Sequence, residues 1–328
     1  MATPFKVLAI DGGGIRGIIP ALILEAIEQR THRAISDLFD MLAGTSTGGI
    51  IALGLAKPGE GGRPDKSASD IVSLYETQGT TIFPHSLREV LHLEAVAGPK
   101  YPADGVETTL QRYFGDVRLK DALKPVLVPS YDIEKQMPIF FKSERAKNSP
   151  DSDFLMREVA RATSAAPTYF PPEKIDTPDP LQYYALIDGG VIANNPAMCA
   201  YAEAIKMGHP DVLMVSIGTG ELRHSLKYND AIKWGQLEWA QPIIDIALQG
   251  SSETVDYQLQ QLLSVASGPQ AYFRFQVALT ADATNMDNAS NDNLKHLMDL
   301  ASAYLDNADT KAALDTVCDA LLNVALAG

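Results

Sequence analysis

Short apolar runs that lead into glycine-rich turns and helical patterns constrain the fold of this chain most strongly. Five such runs occur: KVLAI (6–10), FDMLAG (39–44), PVLVPSYDI (125–133), YYALID (183–188) and VLMVSIG (212–218). Strands that alternate with helices form a mostly parallel sheet, and near-continuous apolar strands are typical of burial on both faces. The pattern therefore predicts an α/β fold, a three-layer α/β/α sandwich with a mostly parallel central sheet.

Several segments outside these runs carry helix signals. Asn195 and Pro196 predict the start of a helix, because Asn caps helix N-termini and Pro suits the first helical position, and Gly208 predicts its end. The stretch 241–265 is amphipathic, and residues 291–325 predict one or two terminal helices.

Composition and charge exclude some classes of partner. The 328 residues are 46% hydrophobic, which is ordinary for a globular protein, and their net charge is −14. Such an acidic chain is not expected to bind nucleic acid, which requires clustered Lys and Arg. No signal peptide and no apolar stretch of about 18–20 residues is evident, so we expect a cytoplasmic protein that is at most peripheral at membranes.

A glycine motif, Gly12-x-Gly14-x-x-Gly17, follows the first run and matches the dinucleotide-binding fingerprint. In a dinucleotide fold the second strand ends in an acidic residue that binds the ribose, whereas here it leads directly into GTSTGG. Asp11 would also repel a pyrophosphate, and no Walker lysine follows the glycines. The sequence therefore disfavours a nucleotide cofactor.

The second run ends in Gly44-Thr45-Ser46-Thr47-Gly48, a G-x-S-x-G between a predicted strand and a predicted helix. This is the context of a nucleophile elbow, in which a sharp turn presents the serine and the glycines give the substrate room to approach. Consecutive glycines at 12–14 offer unobstructed backbone amides for an oxyanion hole, and Arg16 either anchors that loop or adds positive charge.

The residues alone do not decide which side chain acts as the base that would activate Ser46. Asp188 ends the fourth run, and Gly189 and Gly190 leave space around its carboxylate, which favours a Ser–Asp dyad. Among the six histidines, His224 has a plausible location for a Ser–Asp–His triad. A purely structural Asp188 is the third alternative.

The chain resembles the patatin-like acyl hydrolases, and the patatins most closely. The motifs that carry the resemblance are AIDGGGIRG (9–17), GTSTGG (44–49), ATSAAPTYFPP (162–172), LIDGGVIANNP (186–196) and VSIGTG (215–220). They occur in family order and extend over most of the chain. The irregular segment 57–105 is the part in which the match is weakest.

The resemblance implies a modified α/β-hydrolase fold and a Ser–Asp dyad without a histidine, with Ser46 as nucleophile and Asp188 as base. It also implies an oxyanion hole, which we assign to Gly12, Gly13, Gly14 and Thr47, with Arg16, Gly44, Gly48, Gly189 and Gly190 in support. No metal and no cofactor is expected.

The implied activity is hydrolysis of fatty-acyl esters of phospholipids or related glycerolipids, during transient contact with a membrane or micelle. Alternatives are an acyltransferase or thioesterase with the same dyad, a phospholipase effector activated by a cyclic nucleotide, and a non-catalytic lipid-binding or storage protein. We expect one catalytic domain over 1–328, with a core at about 5–280 and the helices of 291–325 packed on it.

Overall fold

The fold is built on one mixed sheet, seen in a computed structural model that describes residues 3–83, 98–179, 181–221, 226–266 and 271–322. The strand order is β5-β6-β3-β2-β1-β7-β8, and β4 pairs with β3 off this path. The strands are β1 (Phe5–Ile10), β2 (Met41–Gly44), β3 (Val126–Asp132), β4 (Met137–Lys142), β5 (Glu173–Asp176), β6 (Tyr183–Asp188), β7 (Val212–Ile217) and β8 (Tyr272–Phe275).

The described helices lie between and after these strands. They are α1 (Ile18–Thr31), α2 (Ile35–Leu38), α3 (Thr47–Ala56), α4 (Ala68–Ile82), α5 (Asp104–Phe114), α6 (Ser143–Asn148), α7 (Met156–Thr163), α8 (Gly190–Ala193), α9 (Ala197–Lys206), α10 (Tyr228–Ala231), α11 (Gln236–Ala266), α12 (Asn291–Asp306) and α13 (Ala308–Leu321). Both predicted terminal helices are present, and α9 begins and ends close to its predicted bounds.

The sheet is covered by helices on both faces, as predicted. Side chains alternate between the two faces of a strand, so Leu8 and Ile10 of β1 pack with α1, α3, α4, α12 and α13, whereas Val7 and Ala9 face α9 and α11. Every residue of β1 after Phe5 is buried. These two cores on opposite faces are what the near-continuous apolar runs predict, and the fold is the expected α/β sandwich.

Two strands, β2 and β6, pair with the same edge of β3, and this pairing brings their carboxyl ends together. Strand β2 pairs in parallel with the start of β3 at Val126 and Leu127, whereas β6 pairs antiparallel with its end at Ser130–Asp132. Strand β4 pairs with β3 over Leu127–Asp132 and so occupies the other edge. Since β2 and β6 run towards each other along the same edge, their carboxyl ends meet.

The five predicted strands are confirmed, and β4, β5 and β8 are additional. Five strands, β8-β7-β1-β2-β3, are mutually parallel, and the antiparallel pairings all lie at the β3 end of the sheet. The additional strands lack a continuous apolar run: β5 reads EKID, β4 contains a proline and β8 contains Arg274. Such sequences do not give the periodic signal on which strand prediction depends.

No helix in the described part of the chain is both long enough and apolar enough to cross a membrane.

Arg274 forms a buried ion pair with Asp11 beside the glycine motif. Its Nη1 donates to Asp11 Oδ1 at 2.9 Å and its Nη2 to Oδ2 at 2.6 Å, and Nη1 also donates to Ser216 Oγ at 2.8 Å. The carboxylate of Asp11 is therefore held against β7 and β8. A buried carboxylate lowers stability strongly when such a partner is removed and its charge is left unpaired.

We expect Arg274→Leu to lower the free energy of unfolding by about 3–5 kcal/mol, because it leaves the Asp11 carboxylate buried and unpaired. Urea denaturation at pH 7.5 measures the change. The double variant Asp11→Asn/Arg274→Leu should be less destabilised than Arg274→Leu alone. As a control, Arg30→Leu removes a largely exposed ion pair with Asp315 and should cost less than about 1 kcal/mol. Equal losses in Arg274→Leu and Arg30→Leu would contradict the expectation.

Candidate active site

Ser46 lies at the sharp turn between β2 and α3, where the G-x-S-x-G motif predicts an elbow. Its backbone has φ 54° and ψ −123°, a conformation that residues other than glycine rarely adopt. The close packing around it requires glycines, since a Cβ on Gly44 would lie 2.0 Å from the Gly48 carbonyl oxygen and a Cβ on Gly48 would lie 2.3 Å from that of Ile10. The strained serine is therefore presented at the carboxyl end of the parallel sheet.

Asp188 meets Ser46 across the shared edge of β3. It is the last residue of β6 and pairs with Ser130, while Ser46 is the second residue after the end of β2. The Ser46 hydroxyl donates a hydrogen bond of 2.6 Å to Asp188 Oδ2. The two residues that the sequence singled out, 142 positions apart, are thus in direct contact.

The environment of Asp188 makes its carboxyl a stronger base than an exposed aspartate. The side chain is buried, and this burial raises its pKa from 3.8 to about 6, although hydrogen bonds from the Ser46 hydroxyl and the Gly190 amide lower it in part. Gly190 N donates to Oδ1 at 2.7 Å. Gly189 permits the close approach to β3, because a Cβ there would lie 2.3 Å from the Pro129 carbonyl oxygen.

The glycine loop at 12–14 directs two amides away from the protein's own acceptors. The Gly12 carbonyl accepts from Thr219 Oγ1 at 2.7 Å, and the Gly13 carbonyl accepts from Arg16 N and Nε at 3.2 and 3.3 Å. In a trans peptide the N–H points opposite to the carbonyl, so these bonds orient the amides of Gly13 and Gly14. Neither amide donates to any atom in the described part of the chain.

Gly12 differs from the two glycines that follow it. Its amide donates to the Asn194 carbonyl at 3.0 Å, so in this structure that donor is committed to the protein. Its lack of a side chain still matters, because a Cβ would lie 2.5 Å from Asn194 Oδ1 and 3.3 Å from Ser46 Cβ. Gly12 therefore gives room for the contact between the loop and the elbow.

Thr47 supplies a further donor at the start of α3. Its amide has no acceptor among the described residues, as is usual in the first turn of a helix. Its hydroxyl bonds to the hydroxyl of Tyr75, which is buried in α4. The side chain is thus turned into the core, and the backbone N–H beside Ser46 is left without an acceptor among the described residues.

Comparison with known proteins assigns the chain to a family. The family model described as "Patatin-like phospholipase" matches residues 8–201. Patatin-like protein 2 of Arabidopsis thaliana is 35% identical over 95% of this chain and 86% of the relative. Patatin-like protein 2 of Oryza sativa subsp. indica is 34% identical over 94% and 86%, and Patatin-15 of Solanum tuberosum is 33% identical over 96% and 87%.

The chain belongs to the patatin-like phospholipase family. The resemblance seen in the motifs is confirmed, and membership supports a lipid acyl hydrolase activity. Among solved structures, VipD from Legionella pneumophila is similar with a TM-score of 0.44 and 14% identity, over 92% of this chain and 67% of that chain.

No histidine in the described part of the chain contacts the candidate dyad, and the triad alternative with His224 is not tested by the structure. His224 and residues 84–97, which include His85 and His92, lie outside the described residues. Of the other histidines, His209 stacks on Phe5, and His296 bonds to Thr280. No described histidine is hydrogen-bonded to Ser46 or Asp188. Within the described ranges there is also no group of three or more His, Cys, Asp or Glu side chains placed to hold a metal ion.

The sequence did not predict that four residues lie around the site: Thr163, Asn194, Thr219 and Arg274. Three of them lie inside motifs that identify the family, ATSAAPTYFPP, LIDGGVIANNP and VSIGTG, but nothing in those letters says that they bond to the glycine loop or the elbow. Arg274 has a weaker signal, a lone charge inside an apolar strand. A buried charge in such a position requires a buried partner, which here is Asp11.

The raised pKa of Asp188 predicts that Asp188→Asn gains stability relative to the wild type as the pH rises. The folded pKa of about 6 exceeds the ordinary value of 3.8, so the stability of the wild type falls as the pH rises from about 4 through about 6 and stays lower above it. Raising the pKa from 3.8 to about 6 corresponds to about 3 kcal/mol. Between pH 4 and pH 8 the difference in free energy of unfolding should therefore shift by up to about 3 kcal/mol in favour of the variant.

Urea denaturation at the two pH values measures this shift. The matched control is Asp319→Asn, which changes an exposed surface residue and should leave the free energy of unfolding close to that of the wild type. A difference between Asp188→Asn and wild type that stays constant from pH 4 to pH 8 would contradict the raised pKa.

Proposed function

We propose that this protein hydrolyses fatty-acyl esters of phospholipids or related glycerolipids through a Ser46–Asp188 dyad and an acyl-serine intermediate. The observation that carries the proposal is the 2.6 Å hydrogen bond from the Ser46 hydroxyl to a buried carboxylate whose pKa is raised to about 6. A serine is a weak nucleophile until an adjacent base takes its proton, and Asp188 is the base in contact with it.

In the acylation step, Ser46 Oγ attacks the carbonyl carbon of the ester as its proton passes to Asp188 Oδ2. The carbonyl oxygen becomes an oxyanion, which accepts hydrogen bonds from the amides of Gly13, Gly14 and Thr47. Donors that are already oriented need no rearrangement when the charge develops. The intermediate then collapses, and the alcohol leaves with the proton that Asp188 held.

In the deacylation step, Asp188 takes a proton from water while the water oxygen attacks the acyl carbon. The oxyanion again bonds to the same amides, and the fatty acid is released as the proton returns to Ser46 Oγ. Each step balances with one proton shuttled by Asp188. The two proposed reaction steps need no histidine, metal or cofactor.

Apolar side chains near Asp188 suit a lipid substrate. Val191 and Ile192 of α8 follow the Asp188 carboxylate by three and four residues and are exposed, and α8 packs on α11, where Ile243 and Ile244 are also exposed. With a net charge of −14, we expect contact with a membrane or micelle to be transient and apolar. Residues 84–97 of the irregular segment 57–105 lie outside the described residues.

We expect Ser46→Ala and Asp188→Asn each to abolish ester turnover, because one removes the nucleophile and the other the base. The assay incubates each variant with a mixed lipid extract in excess chelator, and mass spectrometry identifies lipids that only the wild type depletes. Ser73→Ala, on the exposed face of α4, is the matched control and should match the wild type. His224→Ala should also remain active.

Three outcomes would contradict the mechanism. Full turnover by Asp188→Asn would exclude the dyad. Loss of turnover in His224→Ala would favour the triad. Inhibition by chelator that one added divalent ion reverses would show that a metal takes part.

The dependence of rate on pH provides a separate test of Asp188. The base must be ionised, so kcat/KM should fall on the acidic side with a midpoint at about pH 6. Below the midpoint the fall should be about tenfold per pH unit, as for a single ionisation. A soluble chromogenic ester is the substrate, and circular dichroism at each pH controls for unfolding. A midpoint near pH 4 would mean that the base is a solvated carboxyl.

A further inference from the structure

Thr163 is the last residue of α7 and is fully buried between the two halves of the candidate dyad. Its hydroxyl accepts a hydrogen bond of 3.0 Å from the backbone amide of Ser46. The same hydroxyl donates to the Pro129 carbonyl at 2.6 Å. Because its one proton is committed to Pro129, a lone pair of the oxygen is left facing the Ser46 amide.

The backbone around Thr163 contacts Asp188 and its neighbour. The Thr163 carbonyl accepts from Gly189 N at 3.2 Å, and the Ala165 carbonyl accepts from Asp188 N at 3.0 Å. One short segment, 163–165, therefore binds the backbone on both sides of the Ser46–Asp188 hydrogen bond. Its third connection is to β3, through the hydroxyl on Pro129.

The methyl group of Thr163 has a separate contact. Its Cγ2 lies 2.8 Å from the position that a Cβ would take on Gly49, a residue of α3, the helix that follows Ser46. The methyl therefore packs on the elbow helix, and the hydroxyl bonds to the elbow itself. The two parts of the side chain can be removed separately by substitution, which makes the role of the hydroxyl testable.

We propose that Thr163 is a positioning residue that holds the strained backbone of Ser46 in register with Asp188. This inference rests on the dyad proposed above and assigns Thr163 no contact with substrate. Ser46 has a positive φ that must be maintained by its surroundings. The hydroxyl of Thr163 does so by accepting the Ser46 amide, while the carbonyl of the same residue fixes Gly189.

Removal of this acceptor has a predictable consequence for turnover. A buried amide without a partner favours a backbone rotation that finds another one. Any such rotation moves Ser46 Oγ relative to Asp188 Oδ2 and to the amides of Gly13 and Gly14. Displacements of about 1 Å at a reacting group reduce rates by as much as about 100-fold.

Thr163→Val keeps the shape of the side chain and removes only the hydroxyl. We expect kcat on a soluble chromogenic ester to fall by about 10- to 100-fold. The acidic limb of the pH profile should also move to higher pH, because the Ser46 hydroxyl bond lowers the pKa of Asp188 and this bond is weakened. A residue that only stabilised the fold would not move this limb.

Two further variants are matched to Thr163→Val. Thr163→Ser keeps the hydroxyl and removes the methyl, and it should stay within about threefold of the wild type. Thr31→Val removes a buried hydroxyl that donates to the Ile27 carbonyl at the far end of α1, and it should leave kcat and the pH limb unchanged. If Thr163→Val does not fold, Thr163→Cys replaces the hydroxyl with a poor acceptor of similar size, and the same loss of kcat and the same pH shift are expected.

Each outcome decides the inference. A folded Thr163→Val or Thr163→Cys with wild-type kcat and an unmoved pH limb overturns it, as does an equal loss in Thr31→Val. Ser46→Ala is measured in parallel. If Ser46→Ala retains turnover, the proposed dyad itself has failed, whereas loss in Ser46→Ala with wild-type rates in Thr163→Val refutes only the role of Thr163.

Discussion

The shared edge of β3 is the constraint on which the rest of the candidate site depends. A strand has two edges, and β4 occupies one of them, so β2 and β6 divide the other. Because one runs parallel and the other antiparallel to β3, their carboxyl ends point at each other across the short gap between Leu127 and Ser130. Pro129 lies in this gap, and its carbonyl accepts the Thr163 hydroxyl. A change in the register of β6 by one residue would turn Asp188 to the opposite face of the sheet.

Around this junction the protein tolerates several features that do not favour folding. Ser46 has a strained backbone. Among the described residues, the Asp188 carboxylate has no cationic partner, and the amides of Gly13, Gly14 and Thr47 have no acceptor. Stabilising contacts lie next to the site instead. Arg274 neutralises Asp11, and the Thr219 hydroxyl donates to the carbonyl of Gly12 in the glycine loop. In the proposed mechanism these three amides gain an acceptor when an oxyanion forms next to the serine, so groups that cost stability serve catalysis.

Much of this could be predicted from the sequence, because the informative signals are local. Apolar runs gave the five strands, and the strand–glycine–serine–helix order placed Ser46 in an elbow. What could not be predicted depends on pairing between distant segments. The antiparallel direction of β6, the strand β8 that brings Arg274 to Asp11, and the contact of Thr163 with Ser46 leave no periodic trace in the residues. Gly12 is a similar case: the motif suggests a free amide, and only the fold shows that Asn194 accepts it.

In the proposed dyad a carboxylate takes the place of a histidine, and the surroundings of Asp188 give a physical reason why it is a suitable base. A histidine titrates near neutral pH without help, whereas an exposed aspartate is almost fully ionised and too weak a base for a serine hydroxyl. Burial raises the pKa of Asp188 to about 6, and the bonds from Ser46 and Gly190 keep it from rising further. The carboxylate is therefore largely ionised near pH 7 and yet closer in basicity to an imidazole. This balance requires a site closed enough to desolvate Asp188 but with the Gly190 amide within reach, and α8, which begins at Gly190 directly behind the carboxylate, meets both conditions.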